Sequence, residues 1–385
     1  MNHEYIKDTP NQALKGRRET LDALRGLAAV LIFVFHYFAL YPSGTVPAFG
    51  ALNHVVLNYF AVGVPLFYAL SGVSLYIGYV GKHSKPGFVS DFYLRRLFRI
   101  LPLFYAAALG WFLIFYSRGA TPPFKQVGST LSFLFNLMPG QHESLVAAGW
   151  SVGVEMLFYV VFPIIVARVI SIRSSMVLLI GLCVVSVFSF KYLTAAFPGS
   201  TYPGLSVFAH GHFFAGGIAV YCFADRWLHA RLQFGKSGAL LPCVALCGMV
   251  IAVGVLVSTW FGSTLPGRDP SVARVLWVIP IMFLLFSACT VRPSQPWLAP
   301  FAKLGEWSFS LYLLHPLVLY FLFEPLRVNP VAGPSTAQAF FMRLGLGLVA
   351  LIVCSAVTYR WIEMPGIGLG RRIASRVNPS DIVDR

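Results

Sequence analysis

From Leu21 to Tyr41 the sequence runs LDALRGLAAVLIFVFHYFALY, and every residue between Gly26 and His36 is apolar. A stretch of about 20 residues of this kind is long enough to cross a bilayer as a helix. Outward from it, nine further apolar runs have crossing length: 57–80, 98–117, 149–168, 175–192, 206–224, 238–258, 273–290, 308–325 and 340–362. The predicted fold is all-α, a polytopic transmembrane bundle of about ten helices. Segment 129–138 is apolar but too short to cross, and reads as re-entrant or interfacial. Pro280 predicts a kink in the eighth span.

Composition excludes a soluble protein. Apolar residues make up 57% of the 385 and charged residues only 11%, against about a quarter in a globular domain. The mean hydropathy is +0.72. A net charge of +15 invites a nucleic-acid partner, but the basic residues sit between apolar blocks rather than on one stacking face, which excludes that partner. The cysteines Cys183, Cys222, Cys243, Cys247, Cys289 and Cys354 all lie in apolar segments without metal spacing, so buried thiols and no metal are expected. No cleavable signal peptide is evident before Tyr41.

The charges orient the bundle. With the amino terminus inside, twenty of the 29 basic residues fall on inner segments, among them Arg17, Arg18, Lys82, Lys85, Arg95, Arg96 and Arg99. Seven fall outside: Arg118, Lys125, Lys191, Arg268, Arg274, Arg327 and Arg343. A bias near three to one follows the positive-inside rule for ten spans and puts both termini in the cytoplasm. The expected organisation is a cytoplasmic tail 1–20, a transmembrane domain 21–370 and a cytoplasmic tail 371–385. Segments 118–148, 193–205, 259–272 and 326–339 are weakly charged and rich in Pro, Gly, Ser and Thr, as expected of outer lids.

Ionisable groups inside spans are functional candidates. Arg25 and His36 are eleven residues apart, about three turns, so they share a helix face about 16 Å apart along the axis. The plainer alternatives are a snorkelling anchor for Arg25 and a packed polar residue for His36. Glu155, in GWSVGVEMLFY at 149–159, enters from the outer side and reaches about 9 Å down. His36 reaches about 21 Å up a layer of about 30 Å. At similar depth, Glu155 beside His36 would fix its tautomer and make it a general base; a structural His–Glu hydrogen bond is the alternative. Arg96 and Arg99 share a face at the start of the third span and suit phosphate, although inner loops attract arginine in any case. Weaker candidates are His315 and Tyr312 in WSFSLYLLHP (307–316), His210 and His212 in the outer half of the sixth span, and Trp150 and Ser151. Asp22 is placed to cap the first helix, and Glu363-Met364-Pro365 to end the last.

These features together resemble the membrane-bound acyltransferase-3 family, bacterial O-acyltransferases of envelope glycans and some metabolites. The resemblance covers roughly 20–365. It is carried by LDALRG at 21–26 with His36, FYALSG at 67–72, Arg96 with Arg99, Trp150-Ser151 with Glu155, and Leu311–His315. It implies transfer of an acyl group, commonly acetyl, from cytoplasmic acetyl-CoA or another acyl-CoA to an acceptor hydroxyl. The partners it implies are an envelope glycan or small hydroxylated acceptor and membrane lipid, and the location is the bacterial cytoplasmic membrane. By match to the family's motifs, His36 is catalytic, Arg25 is functional, and Arg96 and Arg99 belong to a functional cytoplasmic motif. The sequence departs from the family at Met156, where members often carry a second acid. A transporter or flippase using the same buried groups is the alternative.

Overall fold

The computed structural model describes residues 17–41, 50–234, 270–290, 298–328 and 337–377, with isolated positions 248 and 254. Among these, all regular structure is helical, as expected where hydrocarbon leaves the backbone no partner but itself. Seven helices among the described residues are long and apolar enough to cross a membrane, or eight if the pair broken at Trp307 is one span. The expected sixth span appears as a helix, Gly211–Phe234, diluted by His212, Asp225 and Arg226. The expected seventh span, 238–258, lies outside the described residues except for positions 248 and 254. The chain is therefore a multi-pass membrane protein.

In chain order the helices are α1 (Arg17–Leu40), α2 (Ala51–Tyr59), α3 (Gly63–Tyr79), α4 (Phe88–Ser117), α5 (Phe124–Ser132), α6 (Trp150–Arg168) and α7 (Ile172–Ala196). They continue with α8 (Gly211–Phe234), α9 (Pro270–Leu276), α10 (Val278–Thr290), α11 (Ala299–Glu306), α12 (Ser308–Val328), α13 (Ala337–Thr358) and α14 (Met364–Val377). They belong to two compact units.

One unit comprises Met1–Leu27, Pro65–Val80 and Ile164–Glu306. Its core is α8 packed on α7 and α10, closed by glycines at which two backbones meet. A Cβ on Gly217 would lie 2.0 Å from the Ala69 carbonyl oxygen, and one on Gly72 would lie 2.2 Å from that of Phe214. The FYALSG stretch is thus the small-residue face on which α3 crosses α8. Gly305 likewise admits the Asp22 carbonyl, to which a Cβ would come within 1.8 Å. The chain is already helical at Arg17, so Asp22 does not cap α1; it pairs with Arg25 one turn on. The break expected from Pro280 comes at Trp277, between α9 and α10, one residue past the carbonyl four positions back that the proline cannot bond.

The other unit comprises Ala28–Val64, Gly81–Pro163 and Trp307–Arg385. Here α12 packs on α13 and α4, and α14 runs along α4. Gly366, Gly370 and Ala374 form the buried face of α14, and a Cβ on Gly366 would meet the Phe98 carbonyl oxygen at 2.6 Å. Arg371, Arg372 and Arg376 lie on its exposed side. Glu363-Met364-Pro365 does not end the last helix. A π-turn at Tyr359–Glu363 absorbs the irregularity, and Pro365 falls in the first turn of α14, where no N–H is needed. The boundary expected after residue 370 therefore falls within a continuous helix. The short segment 129–138 is α5 followed by a 3₁₀ turn, Leu134–Leu137, with Phe133 left-handed between them. It packs back on α6, where Phe135 fills the space a Cβ on Gly153 would take.

Candidate active site

In the second unit the polar side chains of six helical segments form one series. It begins on α1 with His36. Its Nδ1 lies 3.0 Å from the Ile32 carbonyl oxygen, so the N–H is at Nδ1 and Nε2 keeps its lone pair. The His36 ring lies 4.8 Å, centroid to centroid, from that of His315 on α12. His315 is 1% exposed. Its Nδ1 donates to the Tyr312 carbonyl one turn back, and its Nε2 is buried without a hydrogen-bond partner. Two imidazoles with their Nδ1 protons tied to backbone thus stand side by side.

The series continues to α6. The Ser151 hydroxyl donates to Tyr312 Oη at 2.6 Å, and Tyr312 Oη bonds the Ala148 carbonyl at 3.2 Å. Glu155, one turn further along α6, lies within electrostatic reach of Tyr312 and accepts the hydroxyl hydrogen of Tyr159. The Arg96 guanidinium of α4 stands 5.9 Å from the Tyr159 ring centroid, an attractive cation–π placement. Arg99 acts on both Tyr159 and Glu363. Glu363, 1% exposed, accepts from the Ser310 hydroxyl, which in turn accepts from Thr358 Oγ1 at 3.0 Å.

The structure thus brings His36, His315, Tyr312, Ser151, Glu155, Arg96 and Arg99 into one unit. It corrects two expectations. His36 is held by a carbonyl of its own helix, and no hydrogen bond joins it to Glu155 among the described residues. Arg96 and Arg99 do not lie in a loop, since α4 starts at Phe88; Arg95 points to Asp91 at 2.7 Å. Trp150 contributes its carbonyl, which accepts from Asn136 Nδ2 at 3.3 Å. Tyr159 and the buried Glu363 were not singled out as site residues. Tyr159 could have been found from its four-residue spacing to Glu155. Nothing in the sequence tells a buried Glu363 from a helix-end carboxylate.

The remaining candidates lie in the first unit. Arg25 pairs with Asp22 and donates to Ser74 Oγ at 2.5 Å, and the Leu70 carbonyl lies at 3.5 Å. His210 and His212 are 3% and 0% exposed. In the loop before α6, burial pushes the His142 imidazole below its ordinary value, and neighbouring Glu143 opposes this. Among the described residues no three His, Cys, Asp or Glu side chains are grouped to hold a metal ion. Of the cysteines described, Cys289 is buried, Cys183 and Cys222 half-buried, and Cys354 exposed on α13 instead of buried as expected.

Comparison with known proteins bears on the family of the chain. No solved structure matches the chain. Acyltransferase MdmB of Streptomyces mycarofaciens is 27% identical over 96% of both chains. A Bacillus subtilis protein provisionally named peptidoglycan O-acetyltransferase YrhL is 23% identical over 92% of this chain. The Staphylococcus aureus protein SACOL0978, provisionally named an O-acetyltransferase, is 22% identical over 90%. This chain spans only 56% of the length of either of the last two. Residues 18–360 match the acyltransferase domain family, and with most of its length in that match the chain belongs to the family: it is a multi-pass membrane acyltransferase.

Proposed function

We propose that the chain transfers an acyl group, acetyl in the first instance, from acyl-coenzyme A to a hydroxyl of an envelope glycan or a smaller hydroxylated acceptor. The observation that carries the reading is the His36–His315 pair. A neutral imidazole whose Nδ1 proton is committed to a carbonyl presents its other nitrogen as a base. His36 Nε2 would take the proton of the acceptor hydroxyl as that oxygen attacks the thioester carbonyl. The new carbon–oxygen bond forms, the carbon–sulfur bond breaks, and the proton passes from the imidazolium to the departing thiolate.

His315 supplies a second lone pair beside that imidazole and would accept a hydrogen bond from the imidazolium. The Ser151–Tyr312 bond fixes the α12 turn that carries His315. Glu155 would act on the polar series through Tyr159 and Tyr312 rather than on His36 directly. Arg96 and Arg99, one turn apart beside the Tyr159 ring, suit the phosphates of coenzyme A, since guanidinium groups bind phosphate oxygens in pairs. Arg25, fixed by Asp22 and Ser74, stays a donor-binding candidate on the family resemblance alone. The acetyl group is supported by the names of the Bacillus and Staphylococcus relatives, and the glycan acceptor by that of the Bacillus relative alone. The bacterial cytoplasmic membrane, with both termini inside, is supported by the distribution of basic residues.

The test is purified protein in detergent with acetyl-coenzyme A and a panel of glycans, read as free thiol released and as acceptor mass gained. Release that depends on acceptor, and that His36→Ala abolishes while leaving the unfolding midpoint in place, is the expected result. Unchanged turnover in that variant defeats the mechanism. Passage of unmodified substrate across proteoliposomes, retained in His36→Ala, would favour a transporter.

A further inference from the structure

The first unit contains a second cluster of nitrogen-bearing side chains that the transfer reaction does not use. The Gly204 carbonyl oxygen, in the turn between α7 and α8, accepts from Arg274 Nη1 at 3.1 Å and from His210 Nε2 at 2.9 Å. The Arg274 guanidinium lies 4.8 Å from the centroid of the Phe190 ring and so close to Gly204 that a Cβ there would be 3.3 Å from Nη2. His212 is fully buried. One ring nitrogen faces the Arg274 backbone, but neither ring nitrogen meets both the distance and the angle of a hydrogen bond.

Donors here outnumber acceptors. Arg274 carries five N–H groups, and each histidine one or two. Among the described residues no carboxylate pairs with Arg274, and residues 193–212 contain no Asp or Glu at all. Among the described residues the half-buried guanidinium has one carbonyl partner, which is costly, and a buried imidazole without a completed hydrogen bond adds to the cost. The same place is the amino-terminal end of α8, 24 residues long, whose dipole favours negative charge. A guanidinium over an aromatic ring, a buried imidazole that completes no hydrogen bond and a positive helix end are completed by one kind of group.

We propose that Arg274, His210 and His212 form a binding site for an oxyanion, the phosphate or carboxylate of a larger ligand. Arg274 would contact two of its oxygens with its fork of N–H groups, and His212 would supply one further N–H. Gly204 suits the site because a Cβ there would crowd the guanidinium, 3.3 Å from Nη2. Binding here is independent of acyl transfer and can be measured without an acyl donor.

The probes are inorganic phosphate and acetate, added to the purified full-length protein in uncharged detergent against sodium chloride at equal ionic strength. The readout is the thermal unfolding midpoint. A saturable rise with phosphate or acetate beyond chloride is expected, and the better probe identifies the group. In Arg274→Gln the apparent affinity should weaken at least tenfold; in His212→Phe it should weaken measurably. Should Arg274→Gln not fold, the wild-type titration and the His212 variant decide. Repeating the titration in nanodiscs separates the sources. If phosphate still acts in anionic lipid the ligand is soluble, and if anionic lipid alone raises the midpoint and phosphate adds nothing, the oxyanion is a lipid headgroup. No rise beyond chloride in either setting, or an equal rise in the variants, overturns the proposal.

Discussion

Replacing His315 by leucine separates a catalytic imidazole from a packed one, because the two roles predict opposite combinations of stability and activity. His315 Nε2 is buried without a partner, which costs the fold about 1–3 kcal/mol. Its Nδ1 bond to the Tyr312 carbonyl returns about 0.5–1.5 kcal/mol. Leucine removes both and fills similar space, so the unfolding midpoint should stay within about 3 °C or rise. Activity should not follow. If His315 accepts a hydrogen bond from the imidazolium that forms on His36, losing a charge-assisted bond of about 1.5–3 kcal/mol lowers kcat roughly ten- to 150-fold, at about 1.36 kcal/mol per decade. His315→Gln keeps a carbonyl oxygen in the same region and should recover part of that loss. The assay is steady-state release of coenzyme A thiol, with kcat and the acceptor KM determined separately in folded, monodisperse protein. A leucine variant with wild-type kcat would refute the reasoning. So would a loss that merely tracks a lowered midpoint, with no recovery by glutamine.

Three other outcomes follow from the geometry. Arg96→Gln and Arg99→Gln should each raise KM for acyl-coenzyme A by about tenfold, with a weaker salt dependence than wild type; unchanged KM in both would remove the phosphate assignment. Gly217→Val forces a side chain onto the Ala69 carbonyl and should cost several kcal/mol, about 3 or more. Gly78→Ala, with open space around it, should be neutral or gain up to about 1 kcal/mol; equal expression of the two as folded protein would contradict the crossing. For His142, folding favours the neutral imidazole. Its contribution is therefore complete above the ordinary value of about 6.5 and is lost as pH falls below it. Between pH 7 and 5 the midpoint should drop more in wild type than in His142→Gln.

How much of this was legible depends on what the membrane itself dictates. A hydrocarbon layer fixes the length and apolarity of a crossing helix, so α1, α4, α6, α7 and α13 stand close to where the apolar runs put them. It does not fix local backbone breaks. The interruptions at Trp277 and Trp307 and the π-turn at Tyr359–Glu363 have no signature beyond nearby prolines, since packing decides where a helix yields. The FYALSG stretch is visible in the sequence as a pattern, but its physical content, a backbone crossing at Gly72 and Gly217, appears only when α3 and α8 are seen together.

The site shows the same division. Counting residues along two helices gives each side chain a depth, and by that count Glu155 and His36 share one. Depth says nothing of rotation about the helix axis, and rotation chooses partners. Glu155 turns toward Tyr159, its neighbour one turn along α6, while the ring that meets His36 is His315, which the sequence ranked only as a weak candidate in a Ser/Tyr stripe. The exchange of partner changes the chemistry under test. A carboxylate beside His36 would stabilise an imidazolium by opposite charge. A neutral imidazole does so only by accepting its proton in a hydrogen bond, which demands close alignment. Catalysis by the pair should therefore be more sensitive to the placement of α12 than a His–Glu pair would be. Loosening that helix through Tyr312→Phe, which removes the bonds to Ser151 and Ala148 without touching either histidine, should lower kcat more than it lowers the unfolding midpoint. Equal kcat in Tyr312→Phe would mean that His315 needs no such support.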